Sequence, residues 1–294
     1  MDSTPRYVVI TPVKNEEKYI ERTIKSMIAQ SLHPLQWIIV DDGSSDGTGR
    51  IADSYAREFD WIKVVHRANR GSRAPGGKVI EAFREGYGVL SEVHWDFIVK
   101  LDCDLSFGPD YFARLLRRFE DDEQLGIASG VYLEMKKDGL WKEIIMPSYH
   151  AAGACKVMRR KCFEEIGGFV AAAGWDTVDE IRAMSRRWRT CHFRDLQMKH
   201  HKVEGSGIGI NRTSVMHGEI YFLTSGSKLF FLFKIIHRIG TKPYLLNALA
   251  LSWGYLRASL SRRERLVTPE EAQCYQALLH KRLWMRARRL FVGN

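Results

Sequence analysis

The chain has 294 residues, 45% of them apolar, and carries a formal net charge of +10. A chain of this length and composition can bury a full hydrophobic core, which excludes disorder as its main state. Its five cysteines are scattered and show no Cys-x-x-Cys spacing, so neither a disulfide framework nor a zinc site is indicated, and the reducing cytoplasm fits best.

The predicted elements begin with strands that alternate with helices. Apolar, β-branched segments predict strands over residues 7–10, 37–40, 62–65 and 97–101. Apolar residues at helical spacing lie between them, over residues 20–28, 47–59 and 78–90. Because strands that alternate with amphipathic helices form a mainly parallel sheet covered on both faces, the sequence predicts an α/β fold.

The remaining segments predict a body followed by a helical extension. Helices are expected over residues 109–119, 159–166 and 178–188, and strands over residues 127–131 and 191–193. The body is expected to end near Gly209, which divides the chain into a main domain, residues 1–209, and a C-terminal extension, residues 210–294.

The extension carries the whole charge surplus, because residues 1–200 contain equal numbers of acidic and basic side chains. A basic, aromatic-rich extension on a neutral body suits an anionic membrane surface at least as well as nucleic acid. Its longest apolar stretch, residues 244–260, contains Arg257 and is too short and polar for a membrane span. We expect it to lie in the membrane interface or to pack on the body.

Acidic pairs follow two of the predicted strands. Asp41 and Asp42 follow the second strand, and Asp102 and Asp104 follow the fourth. Ligands of α/β sheets bind outside the carboxyl ends of the strands. Carboxylates there suit Mg²⁺ or Mn²⁺ held against a diphosphate. The alternative is that these aspartates only form turns.

Three motifs together resemble glycosyltransferase family 2, whose members are inverting sugar-nucleotide transferases of the GT-A fold. The motifs are Thr-Pro-Val-Lys-Asn-Glu over residues 11–16, Asp-Asp-Gly-Ser over residues 41–44, and Leu-Asp-Cys-Asp over residues 101–104. The resemblance covers about residues 7–201. It implies a GT-A, Rossmann-like, mixed and mainly parallel sheet with helices on both faces, followed by the helical appendage.

The resemblance also implies a role for each matching residue. Asp41 matches the carboxylate that accepts a hydrogen bond from a pyrimidine ring, and Asp104 matches the ligand of a diphosphate-bound Mg²⁺ or Mn²⁺. Asp102 serves the ribose or the same metal. The other matching residues are expected to bind the nucleotide or its phosphates: Pro12, Glu16, Asp42 and Lys78. Arg70 and Arg73, in the loop before Lys78, are further candidates for phosphate contact, and the alternative for these three basic residues is that they are only solvated.

The general base of an inverting transfer is expected in the segment that follows Gly167-Gly168-Phe169. Alignment with the family matches Asp176 to the base, but Trp175 replaces the acidic residue that usually precedes it. Asp179 and Glu180 therefore remain alternatives, as does the interpretation that all three are charges at a helix N-terminus.

A histidine is expected to complete the metal site. Several GT-A enzymes take a further ligand from a histidine placed as His201 is here, and His200 is the alternative; either could instead be structural. The Gln-x-x-Arg-Trp motif of processive synthases is incomplete, because Met184 replaces its glutamine. The resemblance therefore favours the transfer of single sugars.

The expected function is a metal-dependent, inverting transfer of a sugar from a UDP-type donor, or a dTDP donor, to a hydroxyl of a lipid-linked glycan or cell-surface polysaccharide. The expected location is the cytoplasm, peripheral on the inner face of the cell membrane. One alternative, a sugar-phosphate nucleotidyltransferase, would carry a Gly-rich loop after the first strand. A second, a nucleic-acid-binding protein, would use the basic extension, but we expect no nucleic-acid partner.

Overall fold

A computed structural model describes residues 4–69, 76–202, 210–240 and 244–292. The strands within these residues are β1 Tyr7–Val13, β2 Gln36–Asp41, β3 Ile62–His66, β4 Phe97–Leu101, β5 Leu105–Phe107, β6 Leu125–Met135, β7 Trp141–Glu143, β8 Cys155–Arg159 and β9 Arg189–His200. The helices are α1 Ile20–Ile28, α2 Thr48–Glu58, α3 Gly77–Gly88, α4 Tyr111–Glu120, α5 Arg160–Glu165, α6 Trp175–Ser185, α7 Ile210–Leu223, α8 Lys228–Ile239, α9 Leu246–Leu260 and α10 Pro269–Val292.

The strands form one mixed sheet in the order β3-β2-β1-β4-β8-β6-β9-β5, with β7 paired to β6. Strands β3, β2, β1 and β4 run parallel, while β8 runs antiparallel to both β4 and β6. Every residue of β1, β2 and β4 is buried, as expected of strands covered on both faces. The predicted α/β alternation is confirmed over this half of the sheet.

Several elements differ from the sequence prediction: the short strands β5, β7 and β8 have no counterpart in it, and β6, β9 and α6 have different bounds. Strand β9 begins at Arg189 and runs to His200, well beyond the short strand predicted over residues 191–193. The sequence of β9 is largely polar and therefore does not show the apolar pattern of a strand. Strands β5 and β6 nevertheless pair with it on either side. Helix α6 begins at Trp175 rather than at Val178, so Asp176 lies in its first turn.

The described residues divide into two compact units. The first contains those within Met1–Asp176 and Arg187–Val203, and the second those within Thr177–Arg186 and Glu204–Asn294. The predicted domain boundary near Gly209 lies outside the described residues. In the second unit α7 and α9 pack closely, because Gly218 lies against Leu251 and Gly254 lies against Val215. None of the helices described here has both the length and the apolarity of a membrane span.

Gly86 gives a test of how α3 packs on the sheet. A Cβ at this position would lie 2.7 Å from Ile10 Cγ2 and 2.8 Å from Val40 Cγ2. We expect Gly86→Ala to lower the free energy of unfolding by about 1–3 kcal/mol in urea denaturation, because the sheet must shift to admit the methyl group. Gly88→Ala is the matched control, since its Cβ would meet nothing within 4 Å. Equal midpoints for the two variants would contradict this packing.

Candidate functional site

Acidic side chains gather at one edge of the first unit's sheet. Val13, one residue after Pro12, is paired in register with Asp41, the last residue of β2. Asp102 directly follows Leu101, the last residue of β4. Since β1, β2 and β4 are parallel neighbours, their carboxyl ends share this edge, where α/β sheets bind ligands.

Asp41 is buried and bonded on both carboxylate oxygens. Oδ1 accepts a hydrogen bond from Ser44 N at 2.9 Å, and Oδ2 lies 3.2 Å from His66 Nδ1. The other ring nitrogen of His66 lies 3.0 Å from Asp53 Oδ1. The bond to Asp53, and then the one to Asp41, raises the pKa of His66 although burial opposes the shift. Gly49 leaves room for this pair, because a Cβ there would lie 2.7 Å from Asp41 Oδ2.

Cations from other segments hold the neighbouring acids. Arg67 Nη1 lies 2.8 Å from Asp42 Oδ1, and both side chains are largely buried. Lys14 Nζ donates a hydrogen bond to the Asp42 carbonyl at 3.0 Å. Glu16, also buried, forms an ion pair of 2.6 Å with Lys202, which comes from beyond β9. The loop after β1 is therefore fixed both to the loop after β2 and to the segment after β9.

Asp102 is paired with a lysine that lies inside the sheet. Lys100, only 3% exposed, directs its Nζ to Asp102 Oδ1 at 2.5 Å and to the carbonyl of Gly153 at 2.9 Å. The Asp102 side chain stays 32% exposed. The buried Lys100 thus balances the charge of Asp102 from inside the sheet, while part of the Asp102 carboxylate faces solvent.

Asp104 lies deeper than Asp102 and faces a histidine. Its Oδ2 lies 3.4 Å from His200 Nε2, and each side chain is about 10% exposed. Burial acts to raise the pKa of Asp104, but the hydrogen bond and the charge of His200 outweigh burial and hold that pKa below its usual value. Burial likewise acts to lower the pKa of His200, and Asp104 raises it overall. The two therefore form a buried carboxylate–imidazole pair.

His201, the ligand that the family resemblance implies, has a different environment. Its ring nitrogens lie 2.8 Å from Ser106 Oγ and 3.3 Å from Arg22 Nη1. Burial, and then the charge of Arg22, lowers its pKa. Only its backbone N–H reaches Asp104, donating to the carbonyl at 2.9 Å. Of the two histidines, His200 is the one whose ring lies against the Asp104 carboxylate.

Asp176 lies close to Gly153, the residue whose carbonyl Lys100 contacts. A Cβ on Gly153 would lie 3.4 Å from Asp176 Oδ2 and 3.5 Å from the Trp175 ring. Lys156, fully buried on β8 opposite Lys100, donates to the Asp176 carbonyl at 2.7 Å. Both ammonium groups lie over the Trp175 ring, at 5.2 and 5.4 Å from its centroid. At the position where the family resemblance implies an acidic residue, this chain therefore has Trp175, and two buried cations contact its aromatic ring.

The other two acids considered as the base belong to the second unit. Asp179 and Glu180 are 1% and 0% exposed, and Asp179 Oδ1 accepts a hydrogen bond from Glu180 N at 2.6 Å. Asp176 is partly exposed.

Lys78 lies at the start of α3, beside the loop that leads to Asp176. A Cβ on Gly76, whose φ is +83°, would lie 2.6 Å from Ala173 Cα. Only glycine allows both this backbone conformation and this close approach. The contact places the first turn of α3 next to the segment that carries Trp175. Arg70 and Arg73, further candidates for phosphate contact, lie outside the described residues.

The site fits a cation that is completed by ligand oxygens. In the part of the chain that the structure describes, no three His, Cys, Asp or Glu side chains are grouped to hold a metal ion by themselves. Asp104 Oδ1 is nevertheless buried without a hydrogen-bond partner among the described residues. An orphaned buried carboxylate oxygen is costly unless something binds it. Magnesium typically takes one or two carboxylates and completes its shell with phosphate and water oxygens.

Sequence reasoning missed Lys100 and Lys156. Each interrupts an otherwise apolar strand, Phe97–Leu101 or Cys155–Arg159, and a charge inside such a strand signals a buried partner. The ion pair between Glu16 and Lys202 had no comparable signal, because the two residues are far apart in the sequence.

Comparison with known proteins places this geometry in a family. Residues 8–172 match the family described as Glycosyl transferase family 2. The chain is 34% identical over 126 residues to EpsH of Bacillus subtilis strain 168, whose name marks it as a candidate glycosyltransferase. It is 32% identical over 131 residues to polyprenol monophosphomannose synthase of Mycolicibacterium smegmatis. Each match covers 43% of this chain and 34% or 45% of the relative, so the chain spans less than half the length of these relatives.

Solved structures share the fold. The mannosyltransferase PcManGT of Pyrobaculum calidifontis, solved with GDP-Man and Mn²⁺, matches with a TM-score of 0.56 and 15% identity over 100% of this chain and 89% of its own. GalNAc-T7, solved with UDP, GalNAc and Mn²⁺, matches with a TM-score of 0.60 and 14% identity over 89% of this chain and 58% of its own. At these identities the likeness establishes the fold alone, and it confirms the predicted GT-A type.

The pairing of Lys100 with Asp102 can be measured directly. We expect Lys100→Met to lower the free energy of unfolding by about 1–3 kcal/mol, because it leaves the Gly153 carbonyl and the Asp102 carboxylate without their donor. Combined with Asp102→Asn, the loss should fall short of the sum by about 1 kcal/mol or more. Lys63→Met, at an exposed lysine of β3, is the matched control and should change stability by less than about 0.5 kcal/mol. Additive effects of the two site substitutions would contradict the pairing.

Proposed function

Since this chain belongs to glycosyl transferase family 2, we propose that it is a metal-dependent, inverting, non-processive glycosyltransferase that uses a UDP-type donor. The observation that carries the metal dependence is the orphaned, buried Asp104 Oδ1 at the sheet edge where the nucleotide-binding motifs meet. Membership of this family also removes the nucleotidyltransferase alternative.

The metal is proposed to bind Asp104, with His200 rather than His201 as its histidine ligand. The His200 ring faces the Asp104 carboxylate, whereas the His201 ring faces Ser106 and Arg22, which supports this choice. Asp102 is already neutralised by Lys100, which supports a role in binding the ribose hydroxyls rather than the cation. A bound Mg²⁺ or Mn²⁺ would offset the negative charge that develops on the departing diphosphate.

The nucleoside is proposed to lie over the ends of β1 and β2. Asp41 accepts a hydrogen bond from the uracil ring, or from thymine in a dTDP donor, and Ser44 and His66 orient its carboxylate. The loops that carry Pro12, Glu16 and Asp42 complete this pocket. Lys78, in the first turn of α3, contacts the phosphates.

Asp176 is proposed as the general base. It takes the proton of the acceptor hydroxyl as the oxygen attacks the anomeric carbon opposite the diphosphate. Its partial exposure supports this role, since a base must reach the acceptor, whereas Asp179 and Glu180 are fully buried. Lys156 and the Trp175 ring position Asp176 through its backbone.

The acceptor is proposed to be a lipid-linked glycan or a growing cell-surface polysaccharide. Similarity to polyprenol monophosphomannose synthase, and to the undecaprenyl-phosphate mannosyltransferase of Micrococcus luteus at 33% identity over 111 residues, supports a lipid-linked acceptor. We propose a matching location in the cytoplasm, peripheral on the inner face of the cell membrane.

The reaction is tested by supplying a panel of sugar nucleotides with Mn²⁺ or Mg²⁺ and measuring release of the nucleoside diphosphate. We expect one UDP-sugar or dTDP-sugar to be consumed, and chelation or Asp104→Ala to abolish its consumption. Asp176→Asn should lower kcat by about 10²–10⁴-fold with little change in donor KM, because it removes only the proton acceptor.

Asp195→Asn is the matched control, because this exposed acid of β9 pairs with Arg114 and Arg118 and has no proposed role in the reaction. Full activity of Asp104→Ala in the presence of chelator would overturn the metal-dependent mechanism. A larger loss of kcat in Asp179→Asn than in Asp176→Asn would move the base into the second unit.

The two histidines form a matched pair for testing the metal site. In titrations of Mn²⁺ in the presence of UDP, we expect His200→Ala to raise the Kd for Mn²⁺ by about tenfold or more. His201→Ala should change this Kd little, because its ring faces Ser106 and Arg22. The reverse order of effects would assign the ligand to His201.

A further inference from the structure

Helix α8 exposes a stripe of large apolar side chains. Leu229, Leu232, Phe233 and Ile236 are 54%, 53%, 51% and 54% exposed. Their spacing of three and four residues places them on one side of the helix. Phe231, in contrast, is buried and stacks on Tyr255 of α9, at 4.6 Å between ring centroids. The core of the second unit thus uses another face of α8 and leaves this stripe in water.

Helix α9 is apolar on two opposite faces. Its buried face packs in the second unit through small and apolar residues, among them Ala248, Leu251, Gly254 and Ala258. Its opposite face carries a second stripe of large side chains that are 51–77% exposed, namely Leu246, Leu249, Trp253, Leu256 and Leu260. Soluble monomers rarely expose contiguous apolar patches of this kind unless the patch binds something.

Basic residues occur in the same helices as the stripes and next to them in the sequence. Lys228 is the first residue of α8, and Arg262 and Arg263 follow Ser261, the C-cap residue of α9. Helix α10 contains further basic residues, among them Lys281, Arg282, Arg286 and Arg288. All of the net charge of +10 is carried by the part of the chain after His200. This distribution matches an anionic partner.

The cations of α8 and α10 also repel one another. Lys234 lies on α8, with Nζ 5.3 Å from the centroid of the Tyr221 ring. Partial burial, and then the charges of Arg238 and Arg282, lowers the pKa of Lys234 to about 8. Phosphate groups brought to this cluster would relieve the repulsion between its cations.

We infer that the apolar stripes of α8 and α9 insert into the interfacial layer of an anionic lipid bilayer, while these lysines and arginines bind the lipid phosphates. Amphipathic helices lie in this way with their apolar faces at the boundary of headgroups and acyl chains. A second copy of the chain is the less suitable occupant, because two equally basic surfaces would repel. The inference rests on the proposed function only for the presence of a membrane-bound acceptor.

The test is co-sedimentation of the full chain with vesicles of phosphatidylcholine alone or of phosphatidylcholine with phosphatidylglycerol. We expect binding to the anionic vesicles that weakens as salt is added. The variant Leu249→Ser/Trp253→Ser should lower the partition coefficient by at least about tenfold, since two apolar side chains no longer enter the bilayer. Arg262→Gln/Arg263→Gln should lower it by roughly fivefold per charge.

The matched control is Val93→Ser/Ile145→Ser, which removes two exposed apolar side chains from the first unit, 62% and 92% exposed. It should bind vesicles as the wild type does. Thermal unfolding verifies that each variant is folded. Donor hydrolysis without lipid is measured in parallel and should be unchanged in all of these variants, so that failure of the proposed reaction and failure of membrane binding are seen separately.

The inference is overturned if the chain binds neither kind of vesicle, or if Leu249→Ser/Trp253→Ser binds as well as the control. Sedimentation velocity tests the alternative, in which a second copy of the chain binds the stripes. A concentration-dependent dimer that forms without lipid binding and is lost in Leu249→Ser/Trp253→Ser would assign the stripes to a second copy of the chain.

Discussion

Carboxylates withdrawn from water at one edge of the sheet need cations, and this need organises the first unit. Taking a charge out of water costs several kcal/mol unless a partner compensates. Four of the acids are each paired with a basic side chain: Asp42 with Arg67, Asp102 with Lys100, Asp104 with His200 and Glu16 with Lys202. These ion pairs fix the loops after β1, β2 and β4 in the positions where a nucleotide can be held.

The pairs also give neighbouring acids different chemistry. Asp102 is balanced from inside the sheet by Lys100 and keeps a solvent-facing side. Asp104 is deeper, and one of its oxygens lacks a hydrogen-bond partner among the described residues. The same Asp-x-Asp motif therefore contains one carboxylate suited to hydrogen bonding and one suited to a cation. Lys100 further connects Asp102 to the Gly153 carbonyl, beside Asp176.

The main feature of the second unit is the apolar surface that its helices leave exposed to water. Its helices need only one apolar face each to form a core, yet α8 and α9 carry a second one that is exposed to water. The basic surplus of the chain lies in the same region, while the rest of the sequence is neutral. An exposed apolar surface accompanied by basic residues is costly in water and favourable at an anionic interface.

The sequence by itself determined the alternation of strands and helices, the acids at the strand ends and the family, because these depend on local periodicity and on motifs of a few residues. The tertiary structure decided which histidine faces Asp104, which lysine neutralises Asp102, and which side of α9 stays exposed. Each of these depends on segments far apart in the chain, as when β9 pairs with β5 and brings His200 to Asp104. Such pairings leave no periodic signal, since burial and ion pairing are set only when distant elements pack together.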